Sequence, residues 1–328
     1  MTEVVVPQRT SRRRIVPAVI ASIVLLWGVA EWLAGLGLPP RPEERLLRIK
    51  PDRSYRFAVQ PYLDMQFEGF TRRRKPVRII TDGEGFRVGP EETETGVTHR
   101  LFVFGDEWVF GEGLEAAETF PAHVGVAYFR AYNEQIRVHN AGVPGYNVRL
   151  SLERLLHQIR KGEPFDWVLV LSEDDLRPPA GNATLAYWGG ALRSRLTGRW
   201  GYWSDRRRQS RTDLHENSQT LAPLIDELST LAKNFPLPLP CVVVVPVDSA
   251  LHTHVADQIA RAARCQVQEG GKQLSVQIPS PYQPGGWLPT AEAADYLATR
   301  FMVSLSAALQ YKPLEWGNTP APPPGSSD

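Results

Sequence analysis

From Arg100 onward the chain repeats one pattern: a short, wholly apolar run, then a longer stretch whose apolar residues recur at helical spacing. Leu101–Phe104 is such a run, suited to a strand buried on both faces. Thr119–Tyr132 reads as a helix and Ile136–His139 as a second strand. Leu152, Leu155, Leu156 and Ile159 fall on one helical face, and Trp167–Leu171 is a third strand. After a long irregular insert, Leu221, Leu224, Ile225, Leu228 and Leu231 again share a face. Cys241–Pro246 is the most strand-like run of all. A helix near His252–Arg264 and a short strand near Cys265–Val267 follow. The last helix, Ala291–Leu309, aligns Ala294, Leu297, Ala298, Phe301 and Leu305. Strands alternating with helices imply a mostly parallel sheet covered on both faces. The 328 residues allow one large α/β domain plus extensions.

With 37 basic and 36 acidic side chains the net charge is +1, so the composition does not point to nucleic acid. The N-terminus says more. Arg12, Arg13 and Arg14 precede residues 15–38, which are apolar except for Ser22 and Glu31. About 20 apolar residues suffice to cross a bilayer, so residues 15–38 are expected to be a transmembrane anchor following a short tail, 1–14. A cleaved signal peptide is the alternative. Its apolar core usually has about 7–15 residues; this run is longer, carries Trp27 and Trp32, and has no convincing cleavage site. Basic residues flank both sides, Arg9 and Arg12–Arg14 before the run, Arg41, Arg45, Arg48 and Lys50 after it. The tight cluster on the short tail favours an N-terminus inside and an exported bulk. Ser11-Arg12-Arg13-Arg14 also loosely resembles a twin-arginine signal.

Residues 39–98 read as a Pro- and Arg-rich juxtamembrane extension, with Arg72-Arg73-Arg74-Lys75 as either a contact for anionic lipid or a solvated loop. Within it, Val77–Val88 has the pattern of strand, Gly-containing turn and second strand. Residues 313–328 form a Pro/Ser-rich tail expected to be disordered. Cys241 and Cys265 would form a disulfide in an exported domain and stay buried thiols in the cytosol; neither has neighbours that would activate a thiolate.

In an open parallel sheet, sites form at the carboxyl ends of the strands, and the three clearest motifs sit there. Gly105-Asp106-Glu107 ends the first strand. Asn140-Ala141-Gly142-Val143-Pro144-Gly145-Tyr146 follows the second, and Ser172-Glu173-Asp174-Asp175-Leu176 the third. In order and spacing these resemble the blocks of the SGNH (GDSL-like) ester hydrolases, over roughly residues 77–310. The resemblance implies a flavodoxin-like three-layer α/β sandwich, a domain spanning 99–312, and, as in many membrane-attached bacterial members, a single-pass protein of the inner membrane with its domain periplasmic. No cofactor is implied.

That resemblance also identifies what is missing. The serine nucleophile position is Glu107, and a carboxylate has no hydroxyl proton to give up and attacks esters poorly. Gly145 matches the glycine whose N–H helps to form the oxyanion hole. The Asn that completes the hole is replaced by Asp174, whose charge would repel a developing oxyanion. Aligning Pro289-Thr290-Ala291-Glu292 with the residues after the family's catalytic His puts Gly286 at the acid position and Leu288 at the base. Losing one oxyanion donor alone costs about 10²–10³ in rate, so activity by the family mechanism should be negligible.

Three other readings of the motif residues stand beside this one. A displaced active site, giving an esterase or acyl transferase of acylated glycans or lipids, could use Ser172 with His123, His139, His252 or His254. The carboxylates Asp106, Glu107, Glu173, Asp174 and Asp175 could meet around a hard cation, although Asp106 holding its turn and the others pairing with arginine is the simpler arrangement. Residues 178–211 interleave Tyr187, Trp188, Trp200, Tyr202 and Trp203 with Arg193, Arg195, Arg199 and Arg206–Arg208. Trp188, Arg199, Trp200 and Trp203 would suit a protein partner or cell-envelope glycan, or merely cover the sheet edge. The sequence therefore points to a membrane-anchored pseudoenzyme of SGNH type acting as a binding, scaffold or accessory subunit.

Overall fold

A computed structural model describes residues 12–37, 46–49, 57–67, 76–89, 99–134, 136–162, 165–172, 175–176, 221–233, 241–278, 281 and 289–309. The first element is helix α1 (Arg12–Gly37). Strands β1 (Leu47–Ile49) and β2 (Phe57–Val59) pair antiparallel as a separate ribbon. Strands β3 (Asp64–Phe67), β4 (Val77–Thr81) and β5 (Arg87–Val88) form an antiparallel run. The turn between β4 and β5 is closed by Asp82, whose Oδ1 accepts the N–H groups of Glu84 and Phe86, each at 2.9 Å. This is the strand–turn–strand expected over Val77–Val88.

The α/β part follows with β6 (His99–Gly105), α2 (Glu107–Phe110), a 3₁₀ turn at Ala116–Glu118, α3 (Phe120–Tyr132) and β7 (Ile136–Gly142). Next come α4 (Val148–Ile159), β8 (Asp166–Val170), α5 (Ala222–Lys233), β9 (Cys241–Val245) and α6 (Ala250–Ala263). The chain closes with β10 (Gln266–Glu269), α7 (Gly271–Gln277) and α8 (Ala291–Leu309).

One sheet has the order β10-β9-β8-β6-β7-β5-β4-β3. The first five strands pair parallel in the flavodoxin-like order, and β5 joins antiparallel through the single bridge Arg87↔Asn140. The described strands β3–β5 of the 39–98 extension thus belong to the same sheet as the domain. Because β6 connects onward to β7 on one side while β8 lies on the other, the strand order reverses at its carboxyl end. Ligand sites of open α/β sheets form in that crevice.

Strand parity builds the core. Phe102 and Phe104, Leu169 and Leu171, Val243 and Val245 face α4, α5 and α6. Leu101 and Val103, Val168 and Val170, Val242 and Val244 face α3 and α8. Leu152, Leu155, Leu156 and Ile159 are all buried, as their spacing predicts. Each such side chain contributes about 1.5–3 kcal/mol on burial. A third cluster, including Leu46, Phe67, Ile79, Phe110 and Leu150, seats the ribbon and β3–β5 on the domain.

Among the described residues no helix is long and apolar enough to cross a membrane. On α1 every large apolar side chain from Val19 to Leu33 is exposed.

Cys241 and Cys265 are joined in a disulfide, with Cα atoms 5.0 Å apart. It ties the start of β9 to the residue before β10 and closes a loop with a sequence separation of 24. A closed loop of that size corresponds to about 3 kcal/mol of stabilisation in the chain-entropy treatment. Cys241→Ser or reduction is therefore expected to lower unfolding stability by about 3 kcal/mol; denaturant titration with and without reductant measures it.

Candidate functional site

β6 ends at Gly105 and the chain turns at once into α2. Asp106 caps that helix: its Oδ1 accepts the Trp108 N–H at 2.8 Å, and its other oxygen accepts the Ser172 hydroxyl from beyond β8. A single helical turn is unstable by itself, and donors from distant strands hold this one. Asn140 in β7 donates Nδ2–H to the Val109 carbonyl at 3.0 Å, and its Oδ1 accepts the Gly142 N–H at 3.1 Å. Arg87, buried in β5, donates to the carbonyls of Phe110, Gly111 and Leu114 at 2.8, 2.9 and 2.6 Å. Burial lowers the Arg87 pKa to about 10, against the pull of Glu115 and Glu118, so it stays charged at neutral pH. Gly142 lets α2 pack this close, because a Cβ there would lie 2.3 Å from the Phe110 nitrogen.

Glu107 opens α2 and points across to the loop after β7. Its Oε2 accepts the Gly145 N–H at 2.9 Å. Gly145 takes φ +83°, a left-handed conformation that favours glycine. Part of Glu107 still reaches solvent, yet the burial around its carboxyl group dominates. That burial, reinforced by the neighbouring Asp106 carboxylate, holds the Glu107 pKa well above the usual carboxylate range, while the Gly145 N–H pulls the other way. Glu107 thus covers the Gly145 N–H with its own carboxyl oxygen.

The turn after β8 is equally occupied. Asp175 is fully buried; its Oδ2 accepts the Ser172 N–H and its carbonyl accepts the Val148 N–H at 2.9 Å, which joins the turn to the start of α4. Ser172 is buried, with its hydroxyl directed to Asp106 rather than to an imidazole. The candidate histidines have other neighbours: His123 pairs with Asp295 at 3.1 Å, His252 with Ser249 at 2.8 Å, His254 with Gln258 at 3.1 Å, and His139 stacks on Phe102. Among the described residues no group of three or more His, Cys, Asp or Glu side chains could hold a metal ion. Asp106 and Asp175 engage backbone and hydroxyl donors instead.

Of the positions singled out in the sequence, Asp106, Glu107, Gly145, Ser172 and Asp175 meet at these strand ends. Glu173, Asp174, Gly286, Leu288 and residues 178–211, with Trp188, Arg199, Trp200 and Trp203, lie outside the described residues. Two residues that build the site had not been singled out. Arg87 sits in a short strand with no local signal of a role. Asn140 begins the second motif, where a side chain able to donate and accept at once could have been weighed.

No family model matches the chain, and no curated protein does. Solved structures similar to it include AlinE4, an SGNH-hydrolase family esterase, at 18% identity and TM-score 0.36, covering 66% of this chain and 99% of that one. They also include the psychrotrophic esterase EstA from Pseudoalteromonas sp., in a structure inhibited by monoethylphosphonate, at 14% and 0.40, covering 65% and 100%. TesA is similar at 15% and 0.43, covering 64% and 100%. Likenesses of this size carry nothing about chemistry, which rests on the residues themselves.

Two outcomes follow from the geometry. Replacing Arg87 with Met strands buried carbonyls and is expected to cost about 3 kcal/mol in unfolding free energy. Glu107 keeps its proton in the folded state over a pH range in which the unfolded chain has lost it, so its contribution is full below the ordinary carboxylate pKa and is lost as pH rises through the raised value. Stability curves against pH should therefore fall over that range in the wild type and flatten in Glu107→Gln.

Proposed function

We propose that this chain is an SGNH-hydrolase-like protein without ester hydrolysis, acting as a scaffold or accessory subunit of the bacterial cell envelope or as a receptor for one of its glycans. The observation that carries this reading is the hydrogen bond from the Gly145 N–H to the Glu107 carboxyl. An acyl carbonyl would have to displace that oxygen, and no hydroxyl waits at the nucleophile position to attack it. Substitution of the Asn, Asp and His positions by Asp174, Gly286 and Leu288 supports the same conclusion from sequence. A fold of this kind can host binding as readily as catalysis.

We place the domain outside the inner membrane, held by residues 15–38 with the N-terminus inside. Support comes from the arginine cluster at Arg12–Arg14 and from the large apolar side chains of α1 between Val19 and Leu33, which are exposed. The described side chains Val19–Leu33 fall short of the about 20 residues a span requires, and the sequence on either side completes it. The Cys241–Cys265 disulfide suits an oxidising compartment. The Arg- and Trp-rich segment 178–211 is the proposed partner or glycan surface.

A fluorophosphonate probe tests the loss of chemistry. The full-length protein should take no label, and Glu107→Ser should take none either, because Leu288 supplies no base. Wild-type labelling that a single serine substitution abolishes sinks the pseudoenzyme reading. Alkaline carbonate extraction should leave the chain in the membrane pellet; its release would remove the anchor.

A further inference from the structure

His139, on β7, is an ionisable side chain packed like an apolar one. Its ring stacks on Phe102, its register partner on β6, at 4.3 Å with 12° between the planes. Phe86, from the turn between β4 and β5, stands edge-on to both rings at 5.4 Å, and Phe165 meets Phe102 edge-on at 4.9 Å. Only 8% of His139 is exposed, and its Nε2 is buried with no hydrogen-bond partner among the described residues. A neutral imidazole can leave that nitrogen as a bare lone pair. An imidazolium carries N–H on both nitrogens, so protonation would place a charge and an unmet donor against aromatic carbon.

The charged groups around the ring do not offset that cost. Arg100 comes from β6, Arg137 from β7, Asp82 and Glu84 from the β4–β5 turn, and Lys161 from just beyond α4; all five line one cleft with His139. Arg154 of α4 lies over the neighbouring Phe86 ring at 4.9 Å. Burial, then Arg137 and Arg100, lower the His139 pKa to about 4, with Glu84 pulling the other way. Glu84 is engaged already, accepting from Lys161 at 2.8 Å and Gln158 at 3.3 Å. Burial raises the Glu84 pKa, but those bonds together outweigh it and hold it below the ordinary value. The turn that carries Phe86 and Glu84 is lightly joined to the parallel strands. β5 meets β7 through the single bridge Arg87↔Asn140, next to His139 in sequence. Ahead of that bridge, the turn meets the domain through side chains: Phe86 on the two rings and Glu84 at the end of α4.

We propose that His139 is an acid-sensing latch. While neutral it seats the β4–β5 turn through Phe86; once protonated it unseats that turn and, with it, Arg87 from the carbonyls at the end of α2. This device rests neither on the loss of ester hydrolysis nor on the anchor. The closed turn holds the imidazole neutral, whereas an opened turn returns it to the ordinary 6.5. Opening is therefore independent of pH above 6.5, grows by up to about tenfold per pH unit below it, and levels off below 4 after a total of about 300-fold. Glu107 works in the opposite sense, since its raised pKa favours the folded form at low pH.

Hydrogen exchange of the full-length protein between pH 7 and 4, corrected for intrinsic amide rates, reads this opening segment by segment. The amides of Asp82, Gly85 and Phe86 in the turn, and of Phe110 and Gly111 at the end of α2, are hydrogen-bonded. They should lose about a hundredfold in protection over that range, while β8 and β9 keep theirs. His139→Phe keeps a ring in the stack and should abolish the loss; its melting at pH 7 checks that it folds. Titration of the wild-type imidazole by NMR should give a value near 4, which needs no variant. Unchanged protection in either segment, an equal loss across β8 and β9, the same loss in His139→Phe, or an imidazole titrating near 6.5 overturns the proposal.

Discussion

The strand-end site depends on the seating of α2 against the end of β7. A helix of one turn has no stability to spare, and its position is set from outside. Gly142 permits the approach, Asn140 bridges the two elements, and Arg87 satisfies the carbonyls of Phe110, Gly111 and Leu114 at and after the end of the helix. With α2 fixed this way, Glu107 has one direction to point, and the left-handed Gly145 has its N–H waiting there. The loop after β7 is anchored in turn by Tyr146, whose hydroxyl donates to the Phe57 carbonyl and whose ring meets Phe57 edge-on at 5.1 Å. The N-terminal ribbon thereby steadies the same turn that presents Gly145.

Crowded carboxyl groups repel unless something relieves the charge. Here each has its own relief. Asp106 accepts a helix N–H and a hydroxyl, Asp175 accepts a backbone N–H, and Glu107, its pKa raised by burial, accepts the Gly145 N–H. These bonds assign the described acids at the strand ends to architecture.

Most of the fold was legible because it rests on local periodicity. The apolar runs at Leu101–Phe104, Trp167–Leu171 and Cys241–Pro246 are β6, β8 and β9 within a residue or two, and Ala291–Leu309 coincides with α8. The site was legible in part. The motif order brought Glu107 and Gly145 to neighbouring strand ends, but their hydrogen bond depends on a backbone φ and on a clamp from Arg87 that no local pattern encodes. The same holds for β3–β5, whose place in the sheet is fixed by one bridge between Arg87 and Asn140, far apart in sequence. Long-range pairing of that kind leaves no periodic trace.

β5 also shows how the strand-end site and the aromatic packing on the α4 side of the sheet are kept apart and yet joined. Alternate residues of a strand face opposite sides. Phe86, just before it, turns to the α4 side, where it packs against Phe102 at 5.4 Å and lies under the Arg154 guanidinium at 4.9 Å. Arg87, the next residue, turns to α2. Arg154 in turn donates to the Ala141 carbonyl at 2.8 Å, one residue from both Asn140 and Gly142. The aromatic packing around Phe86 and the strand-end site therefore share supports while lying on opposite sides of the strand. The parity of one short strand separates their chemistry, while the end of β7 carries the load of both.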